Sequence, residues 1–76
     1  MEGLGRRDPR LVNLTINGEP RQIEGAGDVA ALILALGLPA PVMLVEHNGT
    51  ALRREEWDTA LAEGDRVEII RVVAGG

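Results

Sequence analysis

The group in this sequence best placed to do chemistry is the carboxylate of its last residue, Gly76, which ends the run Val73-Ala74-Gly75-Gly76. Glycine lacks a Cβ, so such a segment adopts almost any backbone angle and passes through a channel too narrow for side chains. Four extended residues reach about 13 Å at roughly 3.3 Å each, enough to enter a partner's active site from outside. A terminal carboxyl with a pKa of about 3.5 is an anion at neutral pH, and no nucleophile attacks it unaided. Adenylation would turn it into an acyl phosphate anhydride that a partner's persulfide or thiol can open. Two terminal glycines taken alone describe a frayed end equally well.

The remaining side chains offer little reactivity. The chain has no cysteine, so it has no disulfide, thiolate ligand or thiol nucleophile. His47 is the single histidine. It has no cysteine, second histidine or evident acidic partner at ligand spacing, so it is expected to be a partly exposed strand residue with no metal role. A chain of 76 residues also leaves little room for an enclosed pocket of roughly 300 Å³ with convergent polar groups. We therefore expect no catalytic residues and no bound cofactor, with any ATP used by an activating partner.

The net charge of −4 argues against nucleic acid as a main partner. Arg6, Arg7 and Arg10 read as a solvated cluster. Glu55, Glu56, Asp58 and Glu63 make a negative stretch, either an ordinary solvated face or a surface that steers a basic partner. All eight basic residues are arginine, so no side-chain amine is available for amide linkage. The apolar run Val29 to Leu36 is far short of the ~20 residues a membrane helix needs, and no secretory signal opens the sequence. A cytoplasmic protein without a membrane partner is expected.

The elements that position the last residues follow from periodicity. Residues 1–10 mix Gly, Pro and charge without apolar spacing and read as a disordered extension. Val12, Leu14 and Ile16 alternate with polar residues as a half-buried strand. Asn17-Gly18 suits a type I′ turn, returning the chain through Glu19 to Glu24. Asp28 is a helix N-cap. Val29, Leu32, Ile33 and Leu36 form one apolar stripe over about nine residues, and Gly37 and Pro39 end the helix. Val42 to His47 is a second β-rich run, either covered on both sides or open on one for a partner. Asn48-Gly49 is another tight turn, Leu52 and its neighbours pair briefly, and Arg54 to Ala62 is a loop with a short helical turn. Trp57 reads as local packing for that loop or as a partner hot spot. After Gly64-Asp65, Arg66 to Val72 is the last strand, with Val67, Ile69 and then Val72 on one side. The order gives an α+β domain, a mixed four- to five-stranded sheet crossed by one short helix, over residues 11–72, with residues 73–76 as a flexible tail.

The stretch NGTALRREEWDTALAEGDRVEIIRVVAGG, from Asn48 to Gly76, resembles the ThiS sulfur carriers of thiamin biosynthesis. The shared pieces are the Asn48-Gly49 turn, Arg53-Arg54 ahead of Trp57, Leu61 before Gly64-Asp65, Val67-Glu68-Ile69 and the Val-x-Gly-Gly close. A weaker resemblance reaches back to residue 11. It departs at Arg53, where proline is common, and near His47, where an apolar residue is usual. The resemblance implies a ubiquitin-like β-grasp fold. It also implies a Gly76 carboxylate adenylated by a ThiF-type enzyme and converted to a thiocarboxylate. A cysteine desulfurase or rhodanese-like protein would give the sulfur, and a ThiG-type thiazole synthase would take it. Val73, Ala74 and Gly75 would thread the partner's active site, with Leu44, Glu46 and Arg71 available for docking. Arg71 could equally just flank the last strand. A MoaD-like carrier for molybdopterin synthesis, a β-grasp interaction module and ubiquitin-like tagging are the competing readings.

Overall fold

The computed structural model describes residues 11–73. Its strands are β1 (Leu11–Ile16), β2 (Glu19–Glu24), β3 (Met43–His47), β4 (Thr50–Leu52) and β5 (Arg66–Arg71). The single helix among the described residues is α1 (Val29–Ala35), and 3₁₀ turns occupy Ala40–Val42 and Arg54–Glu56. The sheet order is β2-β1-β5-β3-β4, so the last strand in sequence is the central one. β5 runs parallel to β1, and every other neighbouring pair is antiparallel.

Both Asn-Gly pairs form the turns their positive φ angles allow: Asn17 and Asn48 each have φ +50°, followed by Gly18 at +83° and Gly49 at +88°. The helix starts at Asp28, whose Oδ1 accepts the Ala31 amide at 2.8 Å. The amides of Val29 and Ala30 donate to the carbonyls of Thr59 and Trp57, and that of Leu32 to the Asp28 carbonyl. The three amides that precede the first intrahelical bond, those of Val29, Ala30 and Ala31, are therefore satisfied. The helix spans seven residues rather than nine, because Leu36 becomes the cap and the chain reverses through Gly37 at φ +70°. Gly37 N–H donates to Leu34 O and Leu38 N–H to Ile33 O, the paired bonds of a Schellman closure.

Alternation places Val12, Leu14 and Ile16 of β1, Met43 and Val45 of β3, and Val67 and Ile69 of β5 on one sheet face. Val29, Leu32 and Ile33 of α1 cover that face, with Trp57 and Ile23 closing the flanks. Burying each of these side chains contributes about 1.5–3 kcal/mol against exposure. The described residues include no buried polar or charged residue. Trp57 does pin its loop: the Arg54 guanidinium lies 4.1 Å from its ring centroid and donates to Ala40 O at 2.7 Å.

Two expectations need correction. Val42 lies in the 3₁₀ turn after Pro41, and the strand begins only at Met43. Val72 does not share a side with Val67 and Ile69, because a period of two puts Arg71 in phase with them and Val72 out of phase. The apolar run Val42 to Val45 resolves as one open face, with Met43 and Val45 of β3 inward and Leu44 outward.

The central strand is held by the turn asparagines as well as by its neighbours. β1 pairs with β5 only at Thr15–Arg66 and Ile16–Val67. Beyond Ile16, Asn17 Oδ1 accepts the Ile69 amide at 2.7 Å and Asn17 Nδ2 donates to the Ile69 carbonyl at 3.2 Å. Asn17→Gly keeps the turn geometry and removes both bonds. We expect it to lower the free energy of urea unfolding by about 1–3 kcal/mol, and an unchanged unfolding curve would refute the tether.

Candidate functional site

The site is built where β5 leaves the sheet. Arg71 is its last paired residue, opposite Met43 of β3. Val72 still donates its amide to Val42 O at 2.8 Å, and Val73 beyond it is 79% exposed. Ala74, Gly75 and Gly76, the other tail residues singled out from sequence, lie outside the described residues, as does the extension of residues 1–10.

On the face that α1 leaves uncovered, cross-strand registry sets Leu44 beside Ile70. Both are about half exposed, at 54% and 49%, and Val42 and Val72 extend this apolar strip to the root of the tail. Large apolar side chains exposed in a contiguous strip mark a contact surface rather than random surface chemistry. At the strip's far end Glu46 stands directly opposite Glu68. Like charges paired across a strand destabilise the sheet, and among the described residues neither carboxylate has a salt-bridge partner. Leu44 and Glu46 thus fall on one surface with the tail root. Arg71 does not join them: it points to the helix side, in phase with the buried Val67 and Ile69.

His47 corrects the expectation that it lacks an acidic partner. Its Nε2 lies 2.7 Å from Asp65 Oδ2, and both side chains are largely enclosed. Asn48 Nδ2 donates to Asp65 Oδ1 at 3.1 Å, the Ala62 amide donates to Asp65 Oδ2 at 2.9 Å, and Asn48 Oδ1 accepts the Arg66 amide at 2.8 Å. The pair locks the entry of β5 to the β3–β4 turn. His47 and Asp65 are eighteen residues apart and meet only through the sheet. No metal-binding group of three or more His, Cys, Asp or Glu occurs among the described residues. No helix there is long and apolar enough to cross a membrane.

Partial burial pushes the Asp65 carboxyl up, but the hydrogen bonds from His47, Ala62 and Asn48 outweigh it and hold it below the usual carboxylate range. Glu63 is lowered too, by the backbone and side-chain amides of Asn13.

A five-stranded sheet in the order β2-β1-β5-β3-β4, with one helix on one face and the chain leaving from the central strand, defines the ubiquitin-like β-grasp class. The ThiS family model matches residues 14–76. The chain therefore belongs to the ThiS family. A crystal structure of the thiamine biosynthesis protein ThiS from Geobacter metallireducens is 40% identical, with 86% of this chain and all of that one covered and a TM-score of 0.73. A thiazole synthase from Magnetococcus marinus is 27% identical over 66 residues. That match takes in 86% of this chain but spans only 20% of the relative's length.

Two outcomes follow from this geometry. Because the folded pKa of Asp65 lies below its unfolded value near ~3.9, its contribution is complete above that value and is lost as pH falls through the lower folded pKa. Urea midpoints measured from pH 6 down to 2 should fall less steeply in Asp65→Asn than in the parent; parallel curves would count against the lock. Glu68→Gln removes the like-charge pairing and should raise stability by about 0.2–1 kcal/mol in the same urea assay. A loss of stability would show that Glu68 has a favourable partner.

Proposed function

We propose that the chain is a sulfur carrier for the thiazole part of thiamin, working as a co-substrate rather than as an enzyme and holding no cofactor of its own. The observation that carries this reading is the family match, which runs through the last residue and covers the apolar strip leading to it. The match to part of a thiazole synthase supports a ThiG-type acceptor.

In this reading the Gly76 carboxylate oxygen attacks the α-phosphorus of ATP on a ThiF-type enzyme, and pyrophosphate leaves. The terminal sulfur of a donor protein's persulfide then attacks the acyl carbonyl, and AMP departs with the C–O bond electrons. A second thiolate attacks the donor-side sulfur of the resulting acyl disulfide. This releases the Gly76 thiocarboxylate and leaves a disulfide on the donor. Val73, Ala74 and Gly75 form the part that enters the partner's channel. Leu44, Ile70 and Val72 supply an apolar contact, and Glu46 and Glu68 offer a paired-carboxylate target for a partner's arginine.

Incubation with a ThiF-type enzyme, ATP and a persulfide donor should raise the intact mass by about 16 Da as sulfur replaces oxygen at the acyl carbon. A chain lacking Gly76 should stay folded and gain nothing. An unchanged mass under conditions that convert a working ThiS carrier would overturn the proposal. Conversion followed by sulfur delivery only to a molybdopterin synthase would reassign the pathway.

A further inference from the structure

Opposite the open sheet face, a groove of about 370 Å³ lies between the end of α1 and the end of β5, beside the root of the tail. Leu36 and Leu38 form one wall, Met43 and Ile69 the floor, and Arg21 and Arg71 stand at its rim. No acidic residue lines it. In a chain of net charge −4 this is a local concentration of positive charge. Among the described residues neither guanidinium has a carboxylate within salt-bridge distance. At the helix end the carbonyls of Leu34 and Ile33 already accept the amides of Gly37 and Leu38.

We infer that this groove receives an acidic, apolar-anchored segment of the sulfur-donating protein while the activating enzyme holds the open face. The inference rests on the sulfur-carrier reading. An acyl adenylate is a hydrolysable anhydride, so the donor must reach it before the activating enzyme releases the carrier. Two proteins can hold one small domain together only on surfaces that do not overlap. The two sides of β5 provide such surfaces, both ending at the tail root. They differ in charge: on β3 and β5 the open face presents Glu46 and Glu68 with Arg66 next in phase, and the groove presents Arg21 and Arg71 without a carboxylate. An apolar side chain over Met43 and Ile69, with carboxylates meeting the two arginines, is the complementary occupant.

The test separates the two half-reactions. Adenylation is read as ATP–pyrophosphate exchange with the ThiF-type enzyme, and thiocarboxylate formation as mass gain. A cysteine desulfurase charged with cysteine, and then a rhodanese-like protein carrying a persulfide, serve as donors. In Arg21→Glu the donor concentration for half-maximal mass gain should rise about ten-fold, with exchange unchanged. Arg21→Lys should restore most of the loss, because a cation at the rim is kept. Equal donor dependence in the parent and Arg21→Glu with both donors would overturn the groove assignment and leave the carrier reading standing. A parallel loss of exchange, with circular dichroism unchanged, would assign the groove to the activating enzyme and equally overturn it. No mass gain in the parent would instead refute the carrier reading itself.

Discussion

The hydrogen bonds from the side chains of Asn17 and Asn48 to the backbone of β5 are the contacts on which the placement of the last strand depends. β5 is the central strand, yet its parallel neighbour β1 turns away after two paired positions. The strand would then present an unpaired amide and carbonyl at Ile69 next to the core, a loss of about 1–3 kcal/mol for each group left without a partner. Asn17 offers a donor and an acceptor in the geometry of a missing strand residue; at the other end Asn48 Oδ1 accepts the Arg66 amide while the Asn48 backbone amide donates to the Arg66 carbonyl. Asparagine suits both places because it tolerates positive φ and carries an amide like the backbone's own. The strand is thereby fixed along its length, so the tail starts from a defined point and direction.

One helix covers one side of a five-stranded sheet, so a domain of this size leaves the other side to solvent. On β3 and β5 the outward positions are nonetheless Leu44 and Ile70, with Val72 next in phase. Outward Thr or Lys would have given a more soluble sheet, and Glu46 opposite Glu68 is a pairing that folding alone disfavours. Both features are understandable as recognition chemistry held by a fold whose stability comes from the opposite face. Because side chains alternate along β5, Ile70 and Arg71 address different sides although they are neighbours in sequence. A single strand thus serves two surfaces.

Much of this was legible in the sequence, and the reasons are local. Period-two alternation marked β1, the two Asn-Gly pairs marked their turns, and Asp28 with Gly37 bracketed the helix, because each signal acts within a few residues. What escaped notice depends on residues brought together by the sheet. Sequence spacing gives His47 no acidic partner, since Asp65 is distant in sequence and reaches it only once β3 and β5 are paired. The division of Leu44 and Glu46 from Arg71 is likewise set by the sheet: registry brings the first two to the open face, and alternation along β5 turns Arg71 to the helix side. The Asn17 tether to Ile69 leaves no sequence signature beyond a turn asparagine that would be present in any such hairpin.

The composition also suits the proposed carrier role, in which an activated end must not react with its own kind. In that reading an acyl adenylate on Gly76 would be open to attack by amines and thiolates, and this sequence has neither lysine nor cysteine. Its eight cationic side chains are guanidiniums, which stay protonated and offer no lone pair. The one imidazole sits largely enclosed against Asp65, at the opposite end of β5 from the tail. A neighbouring copy therefore presents no exposed amine or thiolate side chain to intercept the activated group. On the proposed carrier reading, selectivity for sulfur would then lie with the protein that approaches the tail, and the folded domain would contribute by deciding which surfaces that protein can reach.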